Sequence, residues 1–203
     1  SQGTTGGNEA VVRTSTMLGD TSKELDATVA SVIATNRIQS FTSTGFVVGS
    51  DPDVNEPGAG RKYHWVAMQA GAGAMKVGTY VGNGTTQAIS GLGFAPVYVM
   101  VLPDKAYAPT QRSATMPAGF SLSFANEGFT DAITGLSSDG FTVGANLVAN
   151  ADTAVYHYVA WASVPGAVSV GSYAGNDSDN RNVAGTGFLA RTSMSASESA
   201  IPG

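Results

Sequence analysis

The chain contains no cysteine, which excludes disulfides and every thiolate-based zinc or redox site. Charge is scarce as well. Charged residues make up 12% of the sequence, about half the usual ~25%. Basic residues number 10 against 15 acidic ones, so the formal net charge is −5 and no cationic excess is present to neutralise phosphates. Nucleic-acid binding is therefore not expected. Long apolar runs are missing too. The longest, Phe94 to Leu102, includes Pro96 and falls far short of a bilayer span. Histidine occurs only at His64 and His157. What the sequence does have is glycine, 26 in 203 residues, against a usual share of ~7%. The chain is also 42% hydrophobic, which separates it from solvated disordered polymers. It opens Ser1-Gln2-Gly3 with no Met and no apolar signal core, which implies a removed leader or a fragment of something longer. Low charge with abundant Gly, Ser and Thr suits a secreted or cell-surface protein, with a virion surface as the alternative.

Internal repetition is the main signal. Gly45-Phe46-Val47-Val48-Gly49 recurs as Gly140-Phe141-Thr142-Val143-Gly144, an offset of 141 − 46 = 95. Tyr63-His64-Trp65-Val66-Ala67 recurs as Tyr156-His157-Tyr158-Val159-Ala160, an offset of 156 − 63 = 93. Val77-Gly78-Thr79-Tyr80 recurs at the same offset as Val170-Gly171-Ser172-Tyr173, and Gly91-Leu92-Gly93-Phe94 returns as Gly185-Thr186-Gly187-Phe188. An Arg-led block appears three times, at Arg13, Arg112 and Arg191. The register divides the chain into residues 1–74, a first unit without its opening strands; 75–167, a complete second unit; and 168–203, a partial third copy. Three readings of the last piece stay open. It folds back to complete the first unit, it completes the first unit of a neighbouring molecule, or the boundaries are arbitrary cuts in a longer array.

The segments read as strands. Val97 to Leu102 is apolar and β-branched; Tyr63 to Met68 and Val155 to Ala162 alternate between two faces. Phe46–Val48 and Phe141–Val143 are short strands between glycines. Turn signals such as Gly82-Asn83-Gly84, Asp139-Gly140 and Pro165-Gly166 recur at short intervals. The expected fold is all-β: two tandem antiparallel β-sandwich or jelly-roll-like domains, with a permuted register. Ser22 to Gln39 is the one helical candidate, and its β-branched residues limit it to a turn at most.

Gly78 to Gly84, Gly93 to Val97, Ile133 to Gly144 and Tyr156 to Ala160, with Ile38 to Gly49 and Tyr63 to Ala67 in the earlier copy, together resemble a β-rich repeat. That repeat occurs in phage tail-fibre-type proteins and in large secreted or cell-surface bacterial proteins. The resemblance implies a structural or adhesive module without catalysis.

Candidate sites are few. Asp51, Asp53, Asn55 and Glu56 offer closely spaced oxygens that a Ca²⁺ ion could use, but they do not form an EF-hand and a solvated turn is preferred. Asp177 to Asn180 is a second such run; no other cofactor is expected. Arg13, Arg112 and Arg191 either face an acidic glycan or partner, or tie a loop to a carboxylate or carbonyl, and the second is preferred. Trp65, Trp161, Tyr80 and Tyr173 could stack sugars, yet in-phase repetition favours core or interface packing. His64 and His157 are expected to be hydrogen-bonded strand residues rather than ligands at a metal-binding interface. Ser15 and Ser193 recur, but the middle copy has Ala114, and no acid–base pair accompanies them. An enzyme is therefore not expected. The expected function is extracellular and structural: self-association into a surface filament or fibre. The alternatives are a virion tail fibre or capsid decoration protein, bound to other virion proteins, and a glycan-binding adhesion module.

Overall fold

The computed structural model describes residues 10–25, 33–56, 61–124, 128–177 and 179–190. Short strands come first: β1 (Val11–Val12), β2 (Ser22–Glu24), β3 (Ile33–Ala34), β4 (Ile38–Phe41) and β5 (Phe46–Val48). A one-turn helix α1 (Pro52–Asn55) follows. Longer elements come next: β6 (Met75–Val81), β7 (Gln87–Ser90), β8 (Pro96–Pro103), β9 (Thr110–Ser113), β10 (Phe120–Ser123), β11 (Gly128–Thr130), β12 (Ile133–Ser137) and β13 (Gly140–Val143). A second one-turn helix α2 (Leu147–Asn150) precedes β14 (Val155–Ala162).

All strand pairs are antiparallel. A six-stranded sheet has the order β11-β10-β9-β8-β14-β6, and a three-stranded sheet the order β12-β13-β7. The smaller sheets are β1-β2-β3 and β4-β5. The core of residues 75–162 draws from both larger sheets. Val99 and Val101 of β8, Tyr156, Tyr158 and Ala160 of β14, and Tyr80 of β6 meet Ile133 of β12, Phe141 and Val143 of β13, and Ile89 of β7. Every second residue of β14 points inward, as period-two alternation requires. The rings interlock: Tyr80 stacks on Tyr156 at 5.1 Å between centroids, and Phe141 meets Tyr158 edge-on at 5.3 Å.

Two devices close this unit. Gly91 and Gly93 both adopt left-handed φ, +83° and +80°, and their N–H groups donate to the two oxygens of Asp139. Asn150 is fully buried between loops: its amide donates to the carbonyl of Gly144 and its oxygen accepts from the N–H of Asn83.

Geometry recurs in the earlier part of the chain. In α2, the Asn146 side chain accepts from Val148 N and Asn150 reaches the Gly144 carbonyl. In α1, 95 residues earlier, the Asp51 side chain accepts from Asp53 N and Asn55 reaches the Gly49 carbonyl. The β12–β13 pair carries a bulge between Ile133 and Gly135, and β4–β5 carries one between Ile38 and Ser40. Asn36 and Asp131, again 131 − 36 = 95 apart, both have positive φ.

The Asp51–Glu56 run, expected as a solvated turn, holds the one-turn helix α1, and both α1 and α2 are entered through an Asx cap, Asp51 and Asn146. Within Ser22 to Gln39 the described residues contain strands, and residues 26–32 lie outside the described set. Tyr63 to Met68 differs most from expectation. It has the pattern of a strand but forms no strand pairing among the described residues, and its residues are exposed.

The contrast yields a prediction. Phe141→Ala should cost about 3–4 kcal/mol in urea unfolding, since Phe141 is enclosed by the core. Its counterpart Phe46→Ala should cost about 1 kcal/mol, since β5 is covered on one side only.

Candidate functional site

The repeated arginines close their own turns. Arg13 donates to the carbonyls of Met17, at 3.0 Å, Gly19, at 2.8 Å, and Thr21. Arg112 donates to those of Met116, at 3.2 Å, Pro117, at 2.8 Å, and Phe120. The offsets of four and eight residues are shared: 17 − 13 = 116 − 112 and 21 − 13 = 120 − 112. A guanidinium fork can satisfy several carbonyls at a hairpin end at once. Arg191 and Ser193 lie outside the described residues; Ser15 is exposed in the Arg13 turn.

The acidic run after β5 is held by an arginine that the sequence reading passed over. Arg37 is buried and pairs with Glu24, with Asp51 at 3.3 Å and with Asp53 at 3.2 Å. Asn55 is engaged with the Gly49 carbonyl, and Glu56 pairs with Arg61 at 2.5 Å. Among the described residues no group of three or more His, Asp or Glu is placed to hold a metal ion. Burial, reinforced by the neighbouring Asp51, pushes the Asp53 carboxyl up to about 6, with Arg37 opposing the shift.

The histidines part company. His157 lies on the outer face of β14, buried, with its Nδ1 2.8 Å from Thr16 Oγ1. Burial lowers its pKa, with Asp104 opposing and Arg13 assisting. The turn after β1 thus seats on the six-stranded sheet. Lys23 of β2 helps anchor it: fully buried, it donates to the Lys105 carbonyl at 2.8 Å, and desolvation pushes its pKa down to about 8. His64 is exposed.

The aromatic residues fall into two groups. Tyr80 is in the core and donates to the Ala149 carbonyl, while Trp161 is half-buried against Tyr98 at 5.3 Å. Trp65 and Tyr173 are exposed, with the Arg181 guanidinium 5.3 Å from the Tyr173 ring centre. The stretch 61–70 is nevertheless positioned. The Tyr63 hydroxyl donates to the Pro52 carbonyl at 2.7 Å and accepts from Glu56 N, so it clamps α1. The Tyr156 hydroxyl clamps α2 in the same way, through the Leu147 carbonyl at 2.6 Å and Ala151 N. Trp65 meets Phe46 edge-on at 5.7 Å. An apolar edge is therefore held in place with unpaired backbone, including exposed Val66 and Met68. Fully burying a side chain of this size contributes about 1.5–3 kcal/mol, so the exposed apolar area favours a cover over this edge. This edge is the candidate functional site, since an unpaired strand edge is a template for pairing with another strand.

No protein-family model, curated protein or solved structure matches the chain. Among the described residues no helix is long and apolar enough to cross a membrane.

Two outcomes test the charge cluster. Arg37→Ala should destabilise the chain by about 2–3 kcal/mol in urea unfolding, because it leaves Glu24, Asp51 and Asp53 facing one another. The raised Asp53 pKa means that its stabilising contribution is present below the unfolded value of 3.8 and is lost as pH rises through about 6. Comparing urea midpoints across that window, Asp53→Asn should remove part of the decline seen in the parent chain.

Proposed function

We propose that the chain is a non-enzymatic, extracellular structural repeat protein whose β-sandwich units assemble into a surface filament or fibre. The observation that carries this reading is the apolar stretch 63–68, held in place but without a strand neighbour among the described residues. Low charge supports it, since a sparse charge complement lowers the cost of bringing copies together. The resemblance of the sequence motifs to tail-fibre-type and cell-surface repeats points the same way. It fits a virion fibre or decoration protein equally, and the native particle would separate these.

A second reading, glycan adhesion, is favoured by one specific observation: Trp65 and Tyr173 present exposed rings, and Arg181 flanks the latter. A glycan array on the purified chain tests it, and an array without signal removes it.

The assembly reading is tested by light scattering and negative-stain microscopy over a concentration series. Growth of linear polymers is expected. Removing residues 168–203 should abolish it while leaving the near-ultraviolet signature of the Tyr80–Tyr156–Tyr158 core intact. A chain that stays monomeric at all concentrations, or one whose assembly and melting ignore the deletion, would contradict the reading.

A further inference from the structure

Residues 63–68 and 168–174 are the in-phase counterparts of β14 and β6, which pair with each other in the second unit. At corresponding positions their environments are opposite. Tyr156, Tyr158 and Tyr80 are 0%, 5% and 8% exposed, whereas Tyr63, Trp65 and Tyr173 are 39%, 72% and 55% exposed. The acceptor half is already assembled. Tyr63 clamps α1 as Tyr156 clamps α2, and the edge-on pair Phe46–Trp65, at 75°, reproduces Phe141–Tyr158, at 73°. What is missing beside it is the ring that Tyr80 supplies in the second unit.

The donor half is shaped to match. Gly78 lies against the Tyr158 ring, where a Cβ would come within 2.3 Å of ring atoms. A Cβ at its counterpart Gly171 would meet nothing within 4 Å, so that side is open to a Trp65 ring, while the Gly171 carbonyl accepts from Thr115 Oγ1 at 3.5 Å. The turn geometry further on is also in place. Gly84, Gly91 and Gly93 have positive φ, and so do their counterparts Asp177, Gly185 and Gly187. Val183, the counterpart of Ile89 that covers β13, is exposed.

We propose, resting on the assembly reading above, that residues 168–184 of one copy complete the first unit of a second copy, head to tail. The register is the one that β14 and β6 use. Subtracting 93 from the β14 residue and adding it to the β6 residue converts Tyr156–Tyr80 into Tyr63–Tyr173, and Val159–Val77 into Val66–Val170. Tyr173 then stacks on Tyr63, Gly171 lies beneath Trp65, and Val183 covers Phe46. The occupant is another copy rather than the chain's own tail because residues 63–68 and 168–177 are both described in one chain and do not pair with each other there.

The absence of cysteine makes the register directly testable. Gly82 N donates to Ala154 O and Ala162 N to Ala74 O, so by alternation Val77 and Val159 form a non-hydrogen-bonded pair. Cα atoms of such pairs lie about 4.5 Å apart, within disulfide range. The double variant Val66→Cys with Val170→Cys, oxidised and run on a non-reducing gel, should give a ladder of linked oligomers. The two single variants, mixed, should give one linked dimer. Val66→Cys with Ser169→Cys places the second thiol on the other face and should link at least about ten-fold less. Gly171→Leu, at an open position, should leave the melting of the dilute free chain unchanged and suppress linking. Thiol loss at monomer mobility would overturn the proposal in favour of the chain's own tail. Linking no better than the control, or unaffected by Gly171→Leu, would overturn the register. Linked dimers that never elongate under the microscope would sustain the pairing and remove the filament; filaments without linking would do the reverse.

Discussion

A β-strand is stable only if its backbone groups find partners, and in this protein that constraint acts through β14. It is hydrogen-bonded along one edge to β6 and along the other to β8, and its inward side chains Tyr156 and Tyr158 organise the core. Tyr156 also reaches past the sheet to clamp α2, so sheet, core and loop share one residue. The same sequence block at 63–68 keeps its clamp on α1 and its ring contact with Phe46, but has neither neighbour. The two stretches differ in their partners more than in their residues, and that difference decides which one is a strand.

The two units share a scaffold and differ in what secures it. Behind α2 stand Ala132, Asn146 and Val148, and the loop is held by buried packing and the Asn150 amide. Behind α1 the same places hold Arg37, Asp51 and Asp53, and a charge cluster joins the helix to β2 through Glu24. The fastening of α2 is buried packing and that of α1 a largely desolvated ion cluster, with the Arg37 and Asp53 side chains 10% and 9% exposed.

Much of this was legible in the sequence, and the rest was not for identifiable reasons. The apolar, β-branched stretch at β8 reported its own burial, and the alternation in β14 reported its inward face but not the burial of His157 and Val159 on the other. The in-phase arginines were read as loop ties, and Arg13 and Arg112 lie in such contacts. Arg37 was missed because its partners come from residues 24, 51 and 53 and its counterpart is Ala132, so neither spacing nor repetition marks it. Lys23 gave no signal either: Ser22-Lys23-Glu24 falls within the Ser22–Gln39 helical candidate, yet it forms a strand and the lysine is enclosed against the β8–β9 loop. Tyr63 to Met68 shows the opposite limit, since alternation records which face is apolar and not whether a neighbour is present.

The register of β6 against β14 also has a mechanical consequence. Met75, where the chain enters the second unit, is the direct partner of Trp161, one residue from where it leaves. Entry and exit therefore sit side by side at one end of the same antiparallel ladder. Tension applied through the flanking segments opens that ladder pair by pair from this end, as a zipper opens, rather than shearing all its bonds together. Under such a pull the β6–β14 ladder yields progressively, beginning next to the turns at 71–75 and 164–168.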